Sequence, residues 1–354
     1  MDLTTAYLGF KLKNPLIASA SPLTLDLDNI RRLEDCGAAA VVLPSIFEEQ
    51  IEAEAMEIER LTSAPSESFA EALSYFPAAI GNWSEPRDYL DIIRRAREAV
   101  AILVIASLNG ISPAGWRDYA RLVEQAGASA IELNTYFIPS DLHLSGSQVE
   151  DAYLDTLKAV KAAISIPVAL KLSPYFSALG HVICKLDAAG ADGFTLFNRF
   201  YQPDIDIERL EVGRTLALSD SSELLLRVTW LAVLSPLTRA SLAASGGVHT
   251  AIDAIKAVMA GAHAVQMVSA LLRNGPGHLR TVRESMVRWL EEHEYDSLRQ
   301  MRGSMNAQRC PDPKAFARAN YVQLLQDWRH VEDAAARVPE LRSGAVTETS
   351  SGRN

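Results

Sequence analysis

The chain has 354 residues, 48% of them hydrophobic and 22% charged, and its 34 basic against 44 acidic side chains leave a formal charge of −10. That balance, with no basic stripe, argues against a nucleic-acid binder. No uncharged apolar run reaches the length of a membrane span, and the opening MDLTTAYLGFKLKNP lacks the apolar core of a signal peptide, so a cytoplasmic globular protein is expected.

In chain order, short apolar runs read as strands at 16–21 (LIASAS), 39–45 (AAVVLPS), 101–108 (AILVIASL), 130–136 (AIELNTY), 167–174 (PVALKLSP), 193–200 (GFTLFNRF), 242–247 (LAASGG) and 264–271 (AVQMVSAL). Most are continuously hydrophobic, as strands covered on both faces should be. Between them lie amphipathic helix candidates: LDNIRRLEDCGA, PRDYLDIIRRAREAV, SPAGWRDYARLVEQAGA, EDAYLDTLKAVKAAIS and ALGHVICKLDAAGA. The phrases CGAAA, AGASA, AGADG and AGAHA place a glycine where a helix must turn into the next strand, a position that favours a left-handed backbone. Alternation of this kind predicts a closed (β/α)8 TIM barrel over residues 1–305. An open doubly wound sheet would want glycines after its first strand, and NPLIASASPLT has none.

Two segments interrupt the alternation. Residues 46–86 open with an acidic run from Glu48 to Glu59, read as a solvated helix face, and continue as a loop through Trp83. Residues 201–225 read as a β-hairpin or loop excursion. Both leave from strand C-termini, the face where such barrels bind ligands. Helices are expected near 276–294 and 312–337, giving a helical extension over 306–338 and a frayed polar tail over 339–354. Cys36, Cys184 and Cys310 are too scattered for a zinc or iron–sulfur site and read as buried or half-buried helix residues.

The strand ends carry the candidate chemistry. Gly246 and Gly247 stand where the seventh strand hands over to a helix, and Ser269 occupies the matching place on the eighth, a pattern suited to phosphate. Asn109, Asn134, Lys171 and Asn198 sit where strands three to six should finish. Four polar groups converging on one barrel mouth call for a polar ligand to satisfy them. His249 reads as a surface residue at a helix start. His143 and His181 have no metal-ligating companions in view, and Trp83 and Trp116 read as cover for the mouth or as gap fillers.

NPLIASASP, ELN in the fourth strand, LKLSP in the fifth and SGG with QMVSAL in the seventh and eighth resemble the dihydroorotate dehydrogenase family, including the flavin domain of dihydropyrimidine dehydrogenases. The resemblance runs from about residue 3 to 305 and implies an FMN-binding barrel. It implies that Ala18 and Ser19 lie against the flavin and that Lys171 meets its pyrimidine end. It further implies that Gly246, Gly247, Val268 and Ser269 hold the phosphate, and that Asn109, Asn134 and Asn198 contact flavin or substrate. The implied activity is oxidation or reduction of a CH–CH bond next to a carbonyl, on a pyrimidine-type substrate. Two positions depart from the family pattern. Leu43-Pro44-Ser45 replaces the lysine-bearing stretch that ends the second strand, and Phe137 stands where relatives carry a Cys or Ser base. Phenylalanine takes no proton, so the expected proton handlers are Tyr136 and Ser140, with Ser145 nearby and Lys171 beside them as an electrostatic stabiliser. A small-molecule substrate is expected, and a redox partner protein and a homodimer are compatible with the reading. The rival expectations are a flavin-binding electron-relay subunit without turnover of its own, and a phosphosugar barrel enzyme using Lys171 as a Schiff base.

Overall fold

A computed structural model describes residues 1–51, 86–110, 113–135, 138–199, 203–213, 217–316 and 322. Tyr136, Phe137, Trp83, most of the 46–86 segment, the extension beyond 316 and the tail lie outside the described residues. Eight parallel strands close a barrel: β1 (Leu16–Ala18), β2 (Ala40–Phe47), β3 (Leu103–Asn109), β4 (Ala130–Asn134), β5 (Val168–Leu172), β6 (Gly193–Leu196), β7 (Ser241–Ser245) and β8 (Ala264–Met267), with β8 pairing back to β1. The helices are α1 (Leu27–Asp35), α2 (Pro86–Ala99), α3 (Pro113–Gln125), α4 (Gly146–Lys161), α5 (Leu179–Ala188), α6 (Leu224–Leu234), α7 (Ala251–Ala260), α8 (Ser269–Asn274), α9 (His278–Glu292) and α10 (Leu298–Met301). The TIM barrel read from the sequence is the fold observed. The 201–225 excursion contains a hairpin, Asp204–Asp206 against Glu211–Gly213.

Several strands stop earlier than expected. β4 ends at Asn134, β6 at Leu196 and β8 at Met267; past β6 only single bonds tie the chain to its neighbours, from Phe197 N–H to Ser245 O and from Asn198 N–H to Leu172 O. The 264–271 run therefore splits, and its second half turns into α8. Helix α6 (LLLRVTWLAVL) is apolar nearly throughout, so no polar face marks its period in the sequence. Capping boxes start α4 and α7: Ser145 with Gln148, and Thr250 with Asp253.

Gly37, Gly127, Gly190 and Gly261 end α1, α3, α5 and α7 with φ of 105°, 95°, 94° and 128°, the left-handed conformation their placement predicted. Each is followed three residues later by the first residue of an even strand: Ala40, Ala130, Gly193 or Ala264. Strand register stacks the inward residues in layers of four from alternate strands. From the bottom these are Ala40, Ala130, Gly193 and Ala264; then Ile17, Ile105, Ala169 and Ala243; then Val42, Glu132, Thr195 and Gln266; then Ser19, Ser107, Lys171 and Ser245. The small lowest layer leaves room for a plug. A hairpin of Thr5–Tyr7 and Phe10–Leu12 places Tyr7, Leu8 and Leu12 in one buried cluster with the lower two layers. A Cβ on Gly193 would lie 2.5 Å from the Leu8 side chain, so the bare position lets the plug pack close against β6. The outer faces of the strands pack against the helices in a second, larger core that includes Trp116.

Two surface expectations are corrected. Cys184 is exposed on α5, whereas Cys36 and Cys310 are half-buried and buried; the helix presents Val182, Ile183 and Leu186 to the core and leaves position 184 outside. Glu48 is buried at the end of β2, so the acidic run does not begin as a solvated face. Among the described residues, no helix is long and apolar enough to cross a membrane.

Candidate active site at the barrel mouth

The upper two interior layers are polar, and they build the floor of the site. Glu132 is 1% exposed and its carboxylate accepts hydrogen bonds from three sides. Lys171 Nζ donates to Oε1 at 3.3 Å, while Thr195 Oγ1 and Gln266 Nε2 donate to Oε2 at 2.9 and 2.6 Å. Gln266 Oε1 in turn accepts from Ser19 Oγ at 2.7 Å. Tyr7 rises from the plug below, its hydroxyl hydrogen-bonded to Thr195 and Gln266, and burial together with the Glu132 charge pushes its pKa up. On the β2–β3 side, Ser45 and Ser107 share a hydrogen bond of 2.7 Å, and the Tyr89 hydroxyl from α2 receives the Ser107 N–H at 2.8 Å.

The rim above is set by register. Asn109 pairs beside Asn134, and Asn134 beside Lys171, so the three expected side chains are neighbours on consecutive strands. Asn198, just past β6, donates its amide to Asn134 Oδ1 at 2.9 Å and closes the group.

Between β5 and β8 the mouth opens into a cavity of about 260 Å³. It brings together Lys171, Asn198, Gly246, Gly247, Val268 and Ser269, six of the residues expected from the sequence. Ala18, Ser19, Asn109 and Asn134 lie outside its lining; from the β1 end it is Ala20, Ser21 and Pro22 that reach it. Ala18 points to the outer core and Ser19 is spent in the layer beneath.

The glycine pair has two jobs. Gly246 and Gly247 hold φ of 88° and 80°, and a Cβ on Gly247 would fall 2.8 Å from the Leu224 Cα at the start of α6. The missing side chains therefore admit α6 and the Arg227 guanidinium, while the backbone faces the cavity. The amides of Gly246, Gly247 and Val248 make no hydrogen bond to any described residue. Three open donors in a row fit a phosphate. Arg227 locks the junction from behind: Nε donates to Ser245 O at 2.9 Å and Nη1 to Glu223 O at 2.6 Å. Burial draws its pKa down.

The sequence reading missed Ser219. It lies 4% exposed in the cavity wall, its N–H donates to Ser269 Oγ at 3.1 Å, and its Oγ meets His249 Nε2 at 3.2 Å. His249 is accordingly not the surface histidine expected. It is half-buried, and burial, with Arg273 nearby, lowers its pKa. No local signal marks Ser219, because it reaches the site from the end of the 201–225 excursion. Ser140 is exposed and away from the cavity, and Ser145 is occupied as the cap of α4. His143 and His181 are exposed, and Trp116 is buried in the outer core. Among the described residues no cluster of His, Cys, Asp and Glu could hold a metal ion.

The donor set fits a phosphate-bearing coenzyme with a polar ring: open amides at β7, hydroxyls at β8, and a cation with asparagines at β4 to β6. Comparisons with known proteins point the same way. The family model described as "Dihydroorotate dehydrogenase" matches residues 87–290. A putative dihydroorotate dehydrogenase A (fumarate) of Aeropyrum pernix is 33% identical over 225 residues, 61% of this chain and 72% of that protein. The catalytic subunit of dihydroorotate dehydrogenase B (NAD(+)) of Thermoplasma acidophilum is 28% identical over 85% of this chain and 98% of its own. The NAD-dependent dihydropyrimidine dehydrogenase subunit PreA of Escherichia coli K12 is 24% identical over 86% of this chain and 77% of its own. With a family match over more than half its length, the chain belongs to the dihydroorotate dehydrogenase family.

Proposed function

We propose that the protein is an FMN-dependent oxidoreductase acting on a CH–CH bond next to a carbonyl, with a pyrimidine-type ring as substrate. The observation that carries this reading is the pairing, in one cavity, of the buried Lys171 ammonium with the open amides of Gly246, Gly247 and Val248. Bound FMN would supply the hydride chemistry. The chain supplies the rest. The β7 amides, with the Ser269 and Ser219 hydroxyls, hold the phosphate. Lys171 would meet the ring's pyrimidine end and stabilise the negative charge that reduction places there. Asn109, Asn134 and Asn198 offer the donors and acceptors that an amide- or imide-bearing substrate requires. Proton transfer falls to Tyr136, since Phe137 offers none and Ser140 stands exposed and away from the cavity.

Relatives whose names mark them as subunits support a redox partner protein that exchanges electrons with this one. Leu43-Pro44-Ser45 and Phe137 favour a second reading, a flavin-carrying relay subunit without turnover of its own. The Glu132 ion pair counts against Lys171 as a Schiff-base amine.

The test is direct. Purified protein should carry FMN absorbance near one equivalent, and Lys171→Ala should weaken it. Photoreduced protein should be reoxidised by orotate, uracil or fumarate. Intact flavin that none of them reoxidises would favour the relay, and a colourless protein that takes up no FMN would overturn both readings.

A further inference from the structure

We propose that Glu132 is the positioning residue that sets which ligand-facing groups of the barrel floor donate and which accept; this rests on the FMN reading. Its layer, Val42, Glu132, Thr195 and Gln266, contains one charged side chain, and that carboxylate only accepts. Lys171 must therefore send a proton down to Oε1, which fixes the ammonium over β4 rather than leaving it to swing toward solvent. On the other side, Gln266 can meet the carboxylate only with its amide nitrogen, at 2.6 Å. Its oxygen is then left to face Ser19, and the Ser19 proton is consumed at 2.7 Å. One carboxylate thus holds a cation on the β5 side of the floor and fixes the orientation of Gln266 and Ser19 on the other, through a chain that crosses four strands.

The pattern selects a ring with developing negative charge over Lys171, beside a Gln266 side chain whose amide orientation is fixed. Glu132 itself does not touch the ring; it acts through Lys171 and Gln266. Glu132→Gln is the informative change. A glutamine can keep its oxygen on Lys171, because Thr195 and Gln266 can rotate to receive the new amide, so the substitution removes the charge and the enforced polarity with little change in volume.

Two measurements decide the proposal. The first is FMN affinity of apo-protein, by fluorescence quenching, for Glu132→Gln, Lys171→Met and the double variant. Glu132→Gln should weaken binding by about tenfold when Lys171 is present, the loss expected for a charged hydrogen bond, and by less than about twofold when it is Met. Equal weakening in both backgrounds would refute a role through Lys171. The second needs no FMN. In protein labelled with 15N at lysine Nζ, the held Lys171 ammonium should give a slowly exchanging signal, identified by its loss in Lys171→Met and absent from Glu132→Gln. An unchanged signal in Glu132→Gln would overturn the proposal. If wild-type protein shows that signal yet binds no FMN, the positioning role stands and the cofactor reading falls. If Glu132→Gln does not fold, Gln266→Leu cuts the Ser19 arm alone and should weaken FMN while leaving the Lys171 signal in place; loss of the signal there would refute the two-armed arrangement.

Discussion

Replacing Gly247 with alanine should unfasten the loop after β7 from α6. The residue sits at φ of 80°, where a side chain costs about 1–2 kcal/mol. The added Cβ would lie 2.8 Å from Leu224 Cα and closer still to its amide nitrogen, so the β7 end must retreat by more than half an ångström. That movement strains the Arg227 Nε to Ser245 O bond, 2.9 Å long and buried, whose loss costs about 1–3 kcal/mol. Reduced freedom of the unfolded chain returns about 0.4–1 kcal/mol. The net destabilisation is about 3 kcal/mol, or a fall in melting temperature of about 4–5 °C for a domain of this size. Thermal melts of Gly247→Ala against wild type measure it, with Gly146→Ala as control, since a Cβ there meets nothing within 4 Å. A Gly247→Ala melting temperature within about 1 °C of wild type would refute the account of the glycine pair.

His263 is held neutral: it takes the Leu242 N–H on Nδ1, and burial, with Arg302 beside it, lowers its pKa from 6.5 to about 4. The unfolded chain binds the proton more readily, so stability is fully present above pH 6.5 and is lost as pH falls toward 4, by about 3 kcal/mol. Urea midpoints at pH 7 and 4.5 should therefore converge in His263→Asn relative to wild type; parallel behaviour of the two proteins would contradict the assignment. Asn198→Ala removes the donor to Asn134 Oδ1 and should raise substrate KM by about fivefold with FMN absorbance intact. A colourless Asn198→Ala protein would place that residue in the cofactor site instead.

Much of the frame was legible because barrel strands are covered on both faces and read as unbroken apolar runs. The helix-ending glycines gave the rhythm, and their left-handed torsions bear it out. The plug was illegible because three-residue strands carry no period, and α6 because its sequence has no polar face. At the site, residues at strand tips announce themselves as polar or glycine interruptions, and Lys171, Asn198, Gly246, Gly247 and Ser269 do meet in one cavity. Glu132, Thr195 and Gln266 are polar too, but each lies inside an apolar strand two residues below the rim. Only the register between strands shows that three such interruptions face one another. Ser219 escaped for a different reason: its place depends on a long excursion returning to the mouth, which no local pattern encodes.

The glycine turns fall after α1, α3, α5 and α7 and nowhere after α2, α4 or α6. The working unit of the chain is therefore two strands and two helices, used four times, and the molecule has the pseudosymmetry of a square rather than an octagon. Its seams lie where α2, α4 and α6 lead into β3, β5 and β7. On that square, equivalent corners hold Val42, Glu132, Thr195 and Gln266. Chemistry enters by individualising one side chain per quarter while the quarters themselves stay interchangeable in shape.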